Sequence, residues 1–172
     1  MDKECAELGV LVADRLTFFR HGLLGLLRDR RPPWHLAEAG TYAELLEHLH
    51  GGDAALVLVD LQLPGMDRAD GMRRLRELFP GRRFVVLGDD DDRTTILECL
   101  SAGAQGYVLR SATPTQFLRA IDTILCGGVF APVSLTNAPV HAPKPSLWFD
   151  AAGPEMLTNL TERQRAVFVL LA

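Results

Sequence analysis

Residues 55–65 read Ala55-Leu-Val-Leu-Val-Asp60-Leu-Gln-Leu-Pro-Gly65. An apolar run ends in one carboxylate, and Pro64-Gly65 then turns the chain sharply. Unbroken apolar character is what a strand buried on both faces needs, and such strands belong to parallel sheets covered by helices. In an open α/β sheet the working edge lies beyond the C-terminal strand ends. Asp60 therefore stands where a nucleophile or a metal ligand is presented.

The rest of the chain supplies the sheet that this strand requires. Leu8–Ala13, His35–Ala39, Arg83–Leu87 and Gly106–Leu109 read as further strands around Ala54–Val59. Helical periodicity follows each of them. Leu16–Leu27 places Phe19, Leu23, Leu26 and Leu27 on one stripe. Thr41 caps a helix through His50, with Glu44 three residues later as its capping-box partner. Asp70–Phe79 is closed by Pro80-Gly81. Arg93–Ala102 ends at Gly103, and Thr113–Cys126 has Pro114 in its first turn and Gly127-Gly128 after its end. Five strand–helix units in succession predict a parallel α/β sheet with helices on both faces. Its C-terminal edge gathers Asp14, Arg15, Asp60, Gly88, Asp89 and Arg110.

Composition excludes several classes. The chain has 172 residues, 48% of them hydrophobic, enough for one domain with a full core and an appendage. A net charge of −4 argues against a strongly basic nucleic-acid surface. Cys5, Cys99 and Cys126 are an odd number without close spacing, which fits a reduced, cytoplasmic protein and no zinc or disulfide framework. No apolar run reaches membrane-spanning length, and the acidic start is not a signal peptide. His48 and His50, two apart, face different sides of a helix.

After Gly128 the character changes. Pro132, Pro139, Pro143, Pro145 and Pro154 punctuate a stretch of few periodic apolars, which reads as a linker. Within it, the Trp148-Phe149 pair is expected to pack locally on the domain. A last helix begins at Thr161, with Val167, Leu170 and Leu171 on one stripe.

These landmarks together resemble the bacterial two-component response regulators of the NarL/FixJ type. Leu11-Val-Ala-Asp14-Arg-Leu-Thr-Phe-Phe-Arg20-His-Gly22 is similar to that family's first strand and helix. Val59-Asp60-Leu-Gln-Leu-Pro64-Gly65-Met66-Asp67 is similar to its phosphoacceptor segment, and Ala102-Gly-Ala-Gln-Gly-Tyr107-Val-Leu109 to its fifth strand. Leu160–Ala172 resembles the opening helix of a LuxR-type helix-turn-helix domain. The resemblance implies a flavodoxin-like, doubly wound five-stranded sheet of order 2-1-3-4-5. It divides the chain into a receiver at 7–128, a linker at 129–158 and an incomplete DNA-reading domain at 159–172.

It also assigns roles. Asp60 matches the carboxylate that accepts a phosphoryl group from a phosphohistidine. Asp14 matches the first of two acids that help hold Mg²⁺, and Tyr107 an aromatic that changes rotamer when the site is phosphorylated. Mg²⁺ in such a pocket relieves the repulsion of gathered carboxylates and neutralises phosphoryl oxygens. Were it bound here, Asp14, Asp60 and Gln62 would hold it.

At three positions the chain departs from the pattern. Arg15 occupies the place of the second acid, Gly88 that of a hydroxyl residue, and Arg110 that of a lysine. Like charges at roughly 4 Å cost about 4 kcal/mol at an effective dielectric of 20, so Arg15 opposes a cation beside it. Gly88 offers a phosphoryl group only its backbone N–H. Arg110 presents a planar fork instead of a lysine's point charge.

The expectation is therefore that Arg15 or Arg110 pairs with Asp60 or Asp14 in place of a metal, giving an atypical receiver with no cofactor. The alternative leaves Arg15 in solvent and Asp60 open to phosphorylation. For Asp89–Asp92 a replacement cation site is weighed against a solvated loop in which Asp92 caps the next helix, and the loop is preferred.

No nucleophile–base pair suggests turnover, so the chain reads as a regulator and not as an enzyme. The resemblance implies a cytoplasmic homodimer formed through the face built by helix 4, strand 5 and helix 5. Leu97, Phe117, Leu118, Ile121 and Leu125 are expected to leave apolar area exposed there. A histidine kinase is the implied donor. DNA would be met only through residues beyond Ala172, since Arg163 and Arg165 alone make no reading helix. A phosphate-independent protein- or ligand-binding module is the other reading.

Overall fold

The computed structural model describes residues 8–29, 34–133 and 135. The expected linker beyond Leu135, its Trp148-Phe149 pair and the helix at 159–172 lie outside the described residues.

Five strands alternate with five helices: β1 (Gly9–Ala13), α1 (Thr17–Arg28), β2 (His35–Ala39), α2 (Tyr42–Gly51), β3 (Ala54–Asp60), α3 (Arg68–Leu78), β4 (Arg83–Gly88), α4 (Arg93–Ser101), β5 (Gly106–Leu109) and α5 (Pro114–Leu125). The sheet is parallel throughout, in the order β2-β1-β3-β4-β5. This is the flavodoxin-like arrangement that the sequence resemblance implies.

Alternation of side chains along the central strands explains their apolar runs. Leu11, Ala13, Val57, Val59, Phe84 and Val86 point to the face covered by α2, α3 and α4, through Leu45, Leu49, Met72, Leu75, Ile96 and Leu100. Val10, Val12, Leu56, Leu58, Val85 and Leu87 point to the other face, against Leu23, Leu24 and Leu27 of α1 and Phe117, Ile121 and Ile124 of α5. Each fully buried side chain of this kind contributes about 1.5–3 kcal/mol of transfer free energy. Neither face can be polar, so β3 has no alternation to show until it reaches Asp60.

Helix ends follow local chemistry with some departures from expectation. Thr41 caps α2 by accepting the Glu44 N–H at 3.2 Å. Glu44 returns its bond to the Gly40 N–H, one residue before the cap, because the Tyr42 N–H is already given to the Pro64 carbonyl and draws the turn after β3 against α2. The full reciprocal capping box belongs instead to Thr113 and Gln116 at the start of α5. The third helix begins at Arg68, ahead of the expected Asp70, and the Gly71 N–H closes its first turn on the Asp67 carbonyl at 2.7 Å. Gly103, at φ +101°, ends α4 in a left-handed conformation that costs a glycine little.

Register sets the working edge. Asp60 pairs across from Leu87, and Gly88 from Leu109, so the residues following β1, β3, β4 and β5 emerge side by side. The Asp14 N–H reaches the Ala39 carbonyl at 3.0 Å and the Arg110 N–H reaches the Gly88 carbonyl at 2.8 Å, which fixes both backbones just past the sheet.

Candidate functional site

Two buried carboxylates face each other at this edge: Asp14 is 0% exposed and Asp60 1%. One oxygen of each is occupied by its own chain. Asp14 Oδ1 accepts the Leu16 N–H at 2.8 Å, and Asp60 Oδ1 accepts the Gln62 N–H at 2.8 Å. The remaining oxygens point inward, and guanidinium groups fill the space between them.

Arg110 Nη1 lies 2.6 Å from Asp14 Oδ2, and its Nη2 lies 2.8 Å from Asp60 Oδ2. Its Nε is 2.8 Å from Asp89 Oδ1. These are close ion pairs whose angles fall short of hydrogen-bond geometry. Arg15 approaches from the open side, donating from Nη1 to Asp60 Oδ2 at 2.6 Å and from Nη2 to Asp89 Oδ2 at 3.0 Å. The Phe19 ring lies beside Arg110, 4.8 Å from centroid to guanidinium carbon, within cation–π range. Arg15 and Arg110 thus balance two of the three negative charges of Asp14, Asp60 and Asp89.

Burial dominates the titration of Asp14 and raises its pKa. The Leu16 N–H and the Arg110 charge oppose that rise, and the Asp60 charge adds to it. Arg15 is held more firmly protonated, first by its bond to Asp89.

The residues do not fit a magnesium ion. Mg²⁺ demands near-octahedral oxygens at about 2.0–2.1 Å. The inward oxygens of Asp14 and Asp60, which would have to supply two of them, are already in contact with guanidinium nitrogens. Gln62 gives its N–H to Asp60 and its side chain to Asp89 Oδ2 at 3.2 Å. Among the described residues no cluster of His, Cys, Asp and Glu is arranged to hold a metal.

The run Asp89–Asp92 divides its labour. Asp92 caps α4, accepting the Thr95 N–H at 2.8 Å, as the loop reading expects. Asp89 is drawn into the ion-pair cluster instead of standing free in solvent. Tyr107, expected to be half-buried, is 1% exposed, and its hydroxyl donates to the Asp90 carbonyl at 2.9 Å. Burial, and then the Asp90 charge, push its phenol upward. Gly88 is buried beside it.

Sequence reasoning missed two participants. Arg20 donates from Nη1 to the Asp14 carbonyl at 2.6 Å and from Nε to Glu38 at 3.2 Å, bracing the turn after β1. Arg93 donates to the Leu135 carbonyl at 3.0 Å. An arginine early in a helix gives no sequence signal of the carbonyl it will meet.

The face of α4, β5 and α5 is less apolar at its surface than expected. Phe117 and Ile121 lie in the core, and Leu97, Leu118 and Leu125 are half-buried, because the short β5 needs more than one stripe of α5 to cover it. The large exposed apolar residues among those described are Leu16, Phe18, Leu78 and Val133.

A family model described as the response regulator receiver domain matches residues 10–122. The chain belongs to the response-regulator receiver family. This receiver is 28% identical over 165 residues to the transcriptional activator protein ExaE of Pseudomonas putida, covering 96% of this chain and 76% of that protein. It is 29% identical over 164 residues to the nitrate/nitrite response regulator protein NarL of Escherichia coli K12, covering 95% and 74%. These relatives make it a NarL/FixJ-type response regulator. A crystal structure of a LuxR-family two-component response regulator from Aurantimonas sp. SI85-9A1 superposes with a TM-score of 0.66 at 27% identity, covering 73% of this chain and 89% of that one. The receiver's described residues include no helix long and apolar enough to cross a membrane.

Proposed function

We propose that this receiver regulates transcription without Mg²⁺-dependent phosphorylation of Asp60. The observation behind this reading is Arg110, whose guanidinium bridges the inward oxygens of Asp14 and Asp60. In a conventional pocket a divalent ion neutralises gathered carboxylates and, during transfer, the phosphoryl oxygens. Here a fixed cation does the first task permanently. It also covers, together with Arg15, the oxygen of Asp60 that would attack phosphorus. Asp60 then serves as an anchor for the β3, β4 and β5 ends rather than as a nucleophile.

The regulatory output in this reading is control of an attached DNA-binding domain from within the cytoplasm, through homodimerisation on the α4–β5–α5 face. Its support is kinship with ExaE and NarL, named as a transcriptional activator and a response regulator. Base contacts would be made beyond Ala172. A histidine kinase would have no productive acceptor at Asp60.

Incubation with acetyl phosphate and Mg²⁺, followed by intact mass, tests the central point. The expected spectrum shows no added phosphate. A stoichiometric phosphate adduct that disappears in Asp60→Asn would overturn the proposal and favour a conventional receiver. Sedimentation of the same samples reads the oligomeric state, which should not respond to acetyl phosphate.

A further inference from the structure

Gly88 and Tyr107 interlock. A Cβ built on Gly88 would fall 1.8 Å from the Tyr107 hydroxyl oxygen, 2.1 Å from Cζ and 2.5 Å from Cε1, and these are its three nearest atoms. The polar end of the ring therefore occupies the volume that any other side chain at position 88 would claim. The same ring is tied at both ends. Its hydroxyl donates to the Asp90 carbonyl at 2.9 Å, in the loop that also holds Asp89 and the α4 cap Asp92. Its backbone N–H donates to the Phe130 carbonyl at 2.9 Å, and the Phe130 N–H answers to the Gln105 carbonyl at 3.1 Å.

Phe130 begins the segment that leaves α5 and runs beside the edge of β5, bridged in parallel to Gly106. Leu135, 3% exposed, belongs to the same apolar cluster as Tyr107, Ile96 and Cys99, and its carbonyl is held by Arg93 at the head of α4. One aromatic side chain thus touches the rim loop on one side and the exit toward the linker on the other.

We propose that the missing side chain at Gly88 makes the inward Tyr107 a steric latch. The latch holds the Asp89–Asp92 loop and the exit segment 129–135 in one arrangement. Eviction of the ring would release both together. The latch depends on volume alone, so it stands whether or not Asp60 accepts a phosphoryl group.

The test is a double-mutant cycle in the 172-residue chain: Gly88→Ala, Tyr107→Val and the pair, each unfolded in urea. Residues in contact couple, whereas independent sites add. Gly88→Ala should lower the folding equilibrium constant at least about tenfold in the parent background and by only about twofold in the Tyr107→Val background. Nitration by tetranitromethane, mapped by mass with Tyr42 as internal reference, gives a second reading. Tyr107 should resist nitration in the parent chain and react readily in Gly88→Ala, where the Phe130 amide should also exchange faster. If Gly88→Ala alone fails to fold, recovery of folding in the double variant supports the latch and its failure to recover overturns it. Equal losses in both backgrounds, or a folded Gly88→Ala chain with Tyr107 still protected, would also overturn it.

Discussion

Arg110 Nη1 sits 2.6 Å from Asp14 Oδ2, and both side chains are nearly excluded from water. Such a pair is held by the cost of breaking it more than by its net attraction. Removing one partner of a buried ion pair leaves an uncompensated charge and costs about 3–5 kcal/mol. Arg110→Met keeps most of the stem and strands Asp14 beside Asp60. It should lower the urea stability by about that amount at neutral pH. Arg110→Lys should lose less, since an ammonium still neutralises but has no fork to span both carboxylates. A neutral Arg110→Met would show that water reaches the cluster freely.

Asp14 makes a pH prediction with an unusual sign. Its pKa is raised from 3.8, chiefly by burial. The folded chain therefore binds this proton more tightly than the unfolded chain does. As pH climbs from about 3.8 through the raised value, Asp14 ionises first in the unfolded state and its contribution to stability falls. A salt-bridged carboxylate with a depressed pKa would do the opposite. Asp14→Asn removes the titration while keeping the shape. The stability of the parent chain relative to Asp14→Asn should decline with rising pH across this window, in urea unfolding at a series of pH values. A relative rise would mean that the Arg110 charge outweighs burial.

The sheet was legible because its evidence is local. Val57 to Val59 must be apolar to lie between two helical layers, and no alternative period suits them. The cluster at Asp60 was legible only as a meeting of residues at one edge. Its direction was not: an arginine stem can turn several ways, and only the register of β3, β4 and β5 brings Arg110 onto both Asp14 and Asp60. Asp89 was hidden among four consecutive acids that look equivalent in sequence and differ only in what lies across the loop. Tyr107 and Gly88 were each read singly. Their interlock is a distance between two strands, and one strand alone does not hold it.

The capping box at α5 gives a check on fold energetics away from the site. Thr113 accepts the Gln116 N–H at 3.3 Å while the Gln116 side chain accepts the Thr113 N–H at 2.9 Å. Two donors at the helix start are satisfied together, and Pro114 needs none. Thr113→Ala should cost about 1 kcal/mol in urea unfolding. Thr113→Ser should retain most of that, because the hydroxyl does the capping. At α2, where Glu44 bonds to Gly40 instead, Glu44→Ala should loosen the turn after β2 and leave the Thr41 cap intact.

Charge replacement offers the most direct trial of the metal-free pocket. In the parent chain two guanidinium groups occupy the inward sides of Asp14 and Asp60, so Mg²⁺ has neither free oxygens nor a favourable field there. Arg15→Asp combined with Arg110→Lys removes the cation at the open side and adds a carboxylate. The planar fork becomes a single ammonium that reaches fewer oxygens. Three acids then converge, and their mutual repulsion is relieved only by a divalent ion. The double variant should be less stable than the parent without metal, and millimolar Mg²⁺ should raise its melting temperature by several degrees, since a ligand that binds only the native state stabilises it by mass action. Melting of the parent should be indifferent to Mg²⁺ at the same ionic strength, with Na⁺ as the control for screening. A parent chain that Mg²⁺ stabilises as strongly as the variant would show that Arg15 and Arg110 yield to the ion, and the fixed-cation account of Asp60 would fall with that result.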